Sequence, residues 1–193
     1  TCKPKFLEKL KRAGVNWLGL GIENPSDQLR SIIHKDSFQE VRIDKVIQEI
    51  KSADINVGGN YIFGLPHDTK KSMENTLQFA KENKTEMVNF YCAMAYPGSP
   101  LHKEAKEKNI KLPEDYVGYS QHSYEMMNLS TENLTSAEIC QFRDQAFIDY
   151  NSDNEYLKLL ENKFGIIARE DMENTLKINL KRSININSCF FFH

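Results

Sequence analysis

Residues 5–95 alternate between amphipathic and short apolar segments, and this alternation restricts the possible folds more than any other feature. Apolar residues recur with the helical period over 5–13, over about 38–52, and in the segment carrying Met73, Thr76, Leu77 and Ala80. Each such segment precedes a short run rich in β-branched and aromatic residues, typical of a strand, at 15–22, 56–65 and 87–95. Repeated helix–strand units predict parallel neighbouring strands joined by right-handed crossovers. We therefore predict an α/β fold.

The helix–strand rhythm ends near Tyr96. A turn and a short helix follow, residues 112–133 resemble a loop, and Thr135 and Glu138 form a capping box that begins a long helix. A further helix is predicted over 154–164, closed by Gly165, with no element predicted from 166 onward. We accordingly expect three parts: a barrel portion (1–110), a helical extension (111–165) and a tail of uncertain structure (166–193).

Three parallel strands are too few to close a barrel, and as an open sheet they would leave two edges uncovered. The sequence also begins with Thr1 and not with Met. Together these features predict the C-terminal part of a partial parallel (β/α) barrel, resembling half of a TIM barrel, whose N-terminal part is missing. We expect such a half barrel to aggregate when it is expressed alone.

The composition excludes several classes of partner. The 193 residues are 40% hydrophobic and 27% charged with a formal net charge of −2, which is globular and gives no electrostatic footprint for nucleic acid or an anionic membrane. A small-molecule cofactor and an unidentified substrate fit better. The chain has no secretory signal and no apolar run long enough to cross a bilayer, and its four cysteines are scattered (Cys2, Cys92, Cys140, Cys189). These features predict a cytoplasmic location.

Two strands carry a candidate ligand-binding face. Side chains alternate along a strand, so Glu23 shares a face with Gly19 and Gly21, and in the next strand one face carries Gly58, Asn60, Ile62 and Gly64. In parallel α/β proteins, ligands collect at the carboxyl ends of the strands, where Glu23 and Gly64 lie. One interpretation is a cofactor lying across these strand ends. In the other, the glycines relieve crowding inside a barrel and Glu23 is a solvated carboxylate. The residues alone leave both open.

Three stretches resemble the radical S-adenosylmethionine superfamily, and within it most closely the members with a cobalamin-binding domain. They read FLEKLKRAGVNWLGLGIEN, INVGGNYIFGLPHDTKKSMENTLQFAKEN and NFYCAMAYPGSPL. The resemblance implies a partial (β/α)6 barrel in which Glu23 contacts the ribose or amino-acid part of S-adenosylmethionine. It further implies that Asn60, Ile62 and Gly64 flank the adenosyl group, with Ile62 against adenine. Tyr96 would lie in the turn that closes the sixth strand.

The resemblance also implies cofactors, namely S-adenosylmethionine, a four-iron four-sulfur (4Fe-4S) cluster and, as a further candidate, cobalamin. The cluster motif C-x-x-x-C-x-x-C is absent, and the scattered cysteines do not replace it. We therefore expect the cluster ligands outside this chain and no catalysis by the chain alone. The sequence also departs from the usual family pattern in reading GIENPS for GIESGS and GLPHD for GLPGE, so that Pro25 and His67 each stand where the family usually has glycine.

Two other functions remain open. The first is a non-catalytic binding module of the same fold that has lost its cluster half. The second is an unrelated α/β phosphate-binding enzyme, although neither a G-x-G-x-x-G motif nor a P-loop lysine occurs. The substrate cannot be predicted from these residues.

Overall fold

The structure, a computed structural model, describes residues 3–26 and 41–184. Within these ranges the chain forms three β-strands and seven α-helices. The strands are β1 (Trp17–Glu23), β2 (Asn56–Phe63) and β3 (Met87–Cys92). The helices are α1 (Pro4–Arg12), α2 (Ile43–Ser52), α3 (Lys70–Asn83), α4 (Pro100–Glu107), α5 (Ser136–Asn151), α6 (Asn154–Phe164) and α7 (Ile166–Thr175), with a 3-10 helix at Tyr116–Tyr119.

The strands form one parallel sheet in the order β1-β2-β3. In this register Gly21 lies opposite Asn60, and Asn60 lies opposite Asn89. The strands pair with their neighbours in sequence, as crossover connections predict. The α/β class is thus confirmed, whereas the barrel stays a prediction, because the described residues form an open sheet.

The two faces of the sheet differ as the strand alternation predicts. One face is buried under the helices and carries large side chains that include Tyr61, Phe63 and Phe90. The rings of Phe63 and Phe90 stack with their centroids 5.4 Å apart, and Phe142 of α5 meets Phe63 edge-on at 5.0 Å. On the opposite face, glycines of β1 are exposed and Asn60 is half-buried. The helices therefore leave one face of the sheet open.

The outer edge of β3 is covered by side chains of the helical extension. The Arg143 guanidinium of α5 donates to the Phe90 carbonyl oxygen at 2.7 Å, and the Gln121 side chain bonds both backbone groups of Cys92. The Tyr150 hydroxyl donates to the Thr85 carbonyl oxygen at 2.9 Å. The expected open edge is therefore covered at β3, because side chains from a later part of the chain replace a neighbouring strand.

Several element boundaries differ from the predictions by a few residues, and β1, predicted at 15–22, runs over Trp17–Glu23. β2 ends at Phe63, two residues before the predicted end, because Gly64 adopts a left-handed backbone with φ of +77°. β3 ends at Cys92 instead of residue 95. The second helix begins at Ile43, and the predicted start at residues 38–40 lies outside the described residues.

The helix boundaries set by polar caps agree with the sequence. Thr135 and Glu138 form the predicted capping box of α5, and Gly165 ends α6 as predicted. Thr69 caps α3 together with Ser72. Helix α7 was not predicted, because it buries no residue and so shows no amphipathic pattern. None of the helices in the described ranges is long and apolar enough to span a membrane.

Candidate functional site

An open cavity of about 540 Å³ lies against the exposed face of the sheet, toward the carboxyl ends of the strands. Such a volume suits a small organic ligand or cofactor. Its walls come from all three strands, the turn after β3 and one loop of the extension. The lining residues are Gly21, Glu23, Asn60, Ile62, Leu65, Tyr91, Cys92, Ala93, Met94, Tyr96, Leu101 and Gln121.

Glu23 ends β1 in a backbone conformation that is rare for a residue with a side chain. Its φ is +62°, and the following Asn24 donates its backbone N–H to the Ile22 carbonyl oxygen at 2.8 Å. The pairing register with β2 also shifts between Gly21 and Glu23. Such strained backbone occurs disproportionately at functional sites. The kink brings the Glu23 carboxylate to the cavity at the end of the strand.

Asn60 crosslinks the three strands on the open face. Its side-chain amide donates to the Leu20 carbonyl oxygen at 3.1 Å, and its side-chain oxygen accepts from the Asn89 amide at 2.9 Å. These two bonds fix the orientation of the Asn60 side chain. Asn60 therefore presents a rigid polar surface to the cavity while it ties β1 to β3.

Ile62 and Tyr91 form the apolar part of the wall. They are register partners on β2 and β3, and both are half-buried. An aliphatic side chain beside an aromatic ring offers a flat apolar surface to a planar ligand. The alternation of side chains along a strand does not by itself say which of Tyr91 and Cys92 faces the site. The structure shows Tyr91 on the open face and the Cys92 side chain in the core.

Tyr96 closes the cavity beyond β3. Its side chain is 46% exposed, and its ring lies 6.0 Å from that of Tyr119. The turn after Tyr96 contains Gly98 at φ of +87°, and Ser99 then caps α4. This turn reverses the chain directly after the strand, so that Tyr96 stays at the rim of the cavity.

Gly64 lies apart from the other four predicted residues. It borders a second cavity of about 360 Å³, together with His67 and Ala93. A Cβ atom built on Gly64 would come within 2.8 Å of the Ile139 side chain of α5. The Gly64 N–H donates to the buried Asp68 carboxylate at 2.9 Å. The structure thus gathers Glu23, Asn60, Ile62 and Tyr96 at one cavity and places Gly64 against the helical extension.

The buried Asp68 carboxylate holds the turn between β2 and α3. It also accepts a hydrogen bond from the Ser72 hydroxyl, while its backbone oxygen accepts from the Asn133 amide at 3.2 Å. Burial nevertheless raises the pKa of Asp68 above its ordinary value. His67, the departure from the usual glycine, has a φ of +66° and pairs with Glu132 at the surface.

Sequence reasoning missed Gln121 as a cavity residue. It belongs to the segment 112–133, which shows no periodicity, and its partner Cys92 lies 29 residues away. Nothing in the local sequence could have identified this contact, because it depends on how the extension folds back onto β3.

The described cysteines do not form a cluster site. Cys92 and Cys140 are both buried, and contact with Cys140 together with burial raises the pKa of the Cys92 thiol well above its usual value. A protonated thiol is a poor metal ligand. In the described ranges, no group of three or more His, Cys, Asp or Glu side chains is placed to hold a metal ion. Cys2 and Cys189 lie outside these ranges.

Comparisons with known proteins agree with this architecture. The family model described as the radical SAM superfamily matches residues 1–80, which contain β1, β2 and the kinked strand end at Glu23. A bacteriochlorophyllide d C-8(2)-methyltransferase of Chlorobaculum tepidum is 27% identical over 118 residues, covering 61% of this chain and 26% of the relative. An uncharacterized methyltransferase of Pyrococcus horikoshii is 25% identical over 179 residues, covering 92% of this chain and 38% of the relative.

A third relative is the hopanoid C-2 methylase of Rhodopseudomonas palustris, which is 28% identical over 60% of this chain and 24% of the relative. The chain thus spans between 24% and 38% of the length of these three proteins. The methyltransferases among them agree with the predicted likeness to cobalamin-binding members. The segment that the family model matches forms two walls of the cavity, and over that segment the chain is similar to the radical S-adenosylmethionine superfamily.

Proposed function

We propose that this chain supplies one wall of the S-adenosylmethionine site in a radical S-adenosylmethionine enzyme. The observation that carries the proposal is the cavity at the strand ends, which brings Glu23, Asn60, Ile62 and Tyr96 together. They come from β1, β2 and the turn after β3. The fold therefore brings them together, and they do not form a local sequence motif. Their role in binding is the proposal.

The lining suits the chemistry of S-adenosylmethionine. A carboxylate such as Glu23 can accept hydrogen bonds from ribose hydroxyls or from the amino group of the methionine part. Ile62 provides an apolar surface for adenine, and the lack of a side chain at the exposed Gly21 lets a ligand approach the backbone closely. A mostly apolar cavity with few fixed polar groups is typical of cofactor sites.

The similarity to the radical S-adenosylmethionine superfamily implies a 4Fe-4S cluster beside S-adenosylmethionine in the intact enzyme. When bound, the cluster supplies the electron for reductive cleavage of S-adenosylmethionine. The described residues of this chain do not fit such a cluster, because their two cysteines are buried in the core and no metal-ligand group is formed. We therefore place its ligands outside this chain, and the role proposed for the chain is to bind and orient S-adenosylmethionine.

Methyl transfer is the reaction class that we propose for the intact enzyme. The names of several relatives describe methyltransferases or a methylase. A cyclase is also among the relatives, so the comparisons include more than one reaction. Cobalamin as a methyl carrier would agree with the methyltransferase relatives.

The second candidate is a binding module that holds S-adenosylmethionine without cleaving it. The missing cluster motif favours this role for the chain alone. The two candidates differ after anaerobic reconstitution with iron and sulfide, followed by addition of a strong reductant. We expect the chain to bind S-adenosylmethionine but to release no 5′-deoxyadenosine. Stoichiometric cluster formation and cleavage would contradict the placement of the cluster ligands outside it.

Calorimetric titration of the purified chain with S-adenosylmethionine tests the proposed function. We expect measurable binding by the native chain and a loss of affinity of about tenfold for Glu23→Gln, because a charged hydrogen-bond acceptor is removed. For Ile62→Ala we also expect a loss of about tenfold, because apolar contact with the ligand is lost.

Glu74→Gln is the matched control, because Glu74 is an exposed residue of α3 that pairs with Lys71. Its affinity should equal that of the native chain. Circular dichroism spectra of all variants establish that each one is folded. A folded native chain that does not bind S-adenosylmethionine would contradict the proposed function, as would folded Glu23 and Ile62 variants with native affinity.

A further inference from the structure

At the end of β3, the outer edge of the strand is covered by the side chain of Gln121. Edge strands carry backbone groups that no neighbouring strand satisfies. At Cys92 the Gln121 side chain takes the place of that strand: its oxygen accepts from the Cys92 N–H at 3.0 Å, and its nitrogen donates to the Cys92 carbonyl oxygen at 3.0 Å. One side-chain amide thus satisfies both groups of one residue at the end of β3.

Gln121 is itself held rigidly. Its side chain is buried, with the residue 8% exposed, and it follows the 3-10 helix that Asp115 caps. The Met127 N–H donates to the Gly118 carbonyl oxygen at 2.9 Å, which closes the loop around Gln121. The Arg182 guanidinium, which follows α7 in the chain, donates to the Ser123 carbonyl oxygen at 3.0 Å and anchors the same loop.

The same amide reaches the rim of the cavity. The Gln121 nitrogen lies 3.4 Å from the Tyr96 hydroxyl oxygen, to which it donates. Gln121 and Tyr96 both line the cavity and follow β3 in the chain, whereas Glu23 and Ile62 line it from β1 and β2. A residue of the helical extension therefore fixes both the strand end and the tyrosine on the far side of the cavity.

We propose that Gln121 is a positioning residue of the S-adenosylmethionine site, which holds the end of β3 and Tyr96 in the geometry that the ligand requires. The inference rests on the proposed function, because it assigns the ligand of the cavity to S-adenosylmethionine. It extends the site beyond the segment that the family model matches, which ends at residue 80. The helical extension then contributes directly to cofactor binding.

The test compares Gln121→Met, which preserves length but removes both hydrogen-bonding groups, with Gln145→Met. Gln145 is an exposed residue of α5 that donates to Asp149 at 2.7 Å, so its replacement leaves the cavity intact. Two quantities are measured on the purified chain: the exchange rate of the Cys92 amide hydrogen by nuclear magnetic resonance, and the dissociation constant for S-adenosylmethionine.

We expect exchange at Cys92 to accelerate by about tenfold or more in Gln121→Met, because the amide loses its acceptor, while amides in the middle of β2 keep their native rates. Affinity for S-adenosylmethionine should fall by about tenfold. Tyr96→Phe should lose affinity more weakly, about threefold, since it removes only the 3.4 Å contact. Gln145→Met and Tyr116→Phe, the latter at a highly exposed tyrosine, should match the native chain in both measurements.

Two results would overturn the role of Gln121. The first is faster exchange throughout the sheet with unchanged affinity, which describes a residue that only stabilises the fold. The second is native exchange at Cys92. Absence of binding by the native chain would instead refute the proposed function and with it the assigned ligand, and the exchange data would still decide whether Gln121 holds the strand end.

Discussion

Two substitutions at Glu23 can separate the energetic cost of its left-handed backbone from the role of its carboxylate in binding. A residue with a side chain at φ of +62° costs about 1–2 kcal/mol relative to an ordinary conformation, and glycine avoids most of this cost. Glu23→Gly and Glu23→Ala both remove the carboxylate, so their difference isolates the backbone. We expect Glu23→Gly to be about 1 kcal/mol more stable than Glu23→Ala in urea denaturation, and both to bind S-adenosylmethionine poorly.

Equal stability of these two variants would show that the backbone relaxes at this position without a side-chain penalty. The kink would then be a passive result of the register shift next to Gly21. Native affinity in the glycine variant would show that the carboxylate takes no part in binding.

A comparison of Gly64 with Gly98 separates the cost of steric crowding from the cost of backbone strain. An alanine there meets the Ile139 side chain at 2.8 Å and also occupies φ of +77°. At Gly98 the φ is +87°, but nothing lies within 4 Å of the added methyl group. We expect Gly64→Ala to lose about 2–4 kcal/mol of unfolding free energy and Gly98→Ala about 1 kcal/mol, measured by thermal or urea denaturation. Equal losses of unfolding free energy in the two variants would mean that Ile139 of α5 moves away from the added methyl group without a loss of stability.

The alternation of side chains in β2 predicted which residues share a face, and it was correct for Asn60 and Ile62. It failed to predict the surroundings of Gly64, because the strand ends at Phe63 and the backbone then turns at a positive φ. Period-two reasoning holds only while the chain stays extended. The kink at Glu23 could not be predicted from the sequence either, because glutamate rarely adopts a positive φ.

Among the elements, one buried arginine joins α5 to β3 by a hydrogen bond. Arg143 is 4% exposed, and its guanidinium donates to the Phe90 carbonyl oxygen at 2.7 Å and to Asp144 at 2.7 Å. Arg143→Met leaves both acceptors without this donor. We expect a loss of about 3 kcal/mol of unfolding free energy, measured by urea denaturation, because buried groups that lose a charged partner are costly.

Arg169→Met is the control for this prediction. Arg169 lies on α7, where it pairs with Glu161 and Glu173 at the surface with 35% of its side chain exposed. Exposed ion pairs contribute little, so this variant should lose less than about 1 kcal/mol. Similar losses for the two arginines would show that Phe90 finds another donor when Arg143 is removed.

The elements themselves could largely be predicted from local patterns. The stripes of α2 and α3, the capping box at Thr135 and the helix end at Gly165 all depend on residues a few positions apart. The covering of β3 could not be predicted, because Arg143 and Phe90 lie 53 residues apart. Helix α7 escaped prediction because it buries no side chain and so carries no periodic signal.

At the scale of the whole molecule, Glu86 joins several elements at the amino-terminal end of the sheet. Its side chain is fully buried, accepts from Lys163 of α6 at 2.6 Å and from the Val57 N–H of β2 at 2.8 Å, and lies 3.7 Å from Lys51 of α2. Burial alone would raise the pKa of Glu86, but the bonds from Lys163 and Val57 and the charge of Lys51 outweigh it, so the pKa is lowered below 4.5.

The lowered pKa of Glu86 predicts acid sensitivity. The unfolded chain binds this proton more readily than the folded chain does, so the stabilisation is complete above about pH 4.5 and is lost as the pH falls through the folded value. We expect Glu86→Gln to lose about 2–3 kcal/mol of unfolding free energy at neutral pH. Its melting temperature should then fall less than that of the native chain between about pH 6 and pH 3. Parallel curves for the two proteins would contradict this assignment.

The covered edge of β3 prevents another strand from pairing with the sheet on that side. Any strand that approached β3 would first have to displace Arg143 from Phe90 and Gln121 from Cys92, and it would leave two buried polar side chains to find new partners. The addition of a further strand beside β3, whether from this protein or from another, is therefore disfavoured.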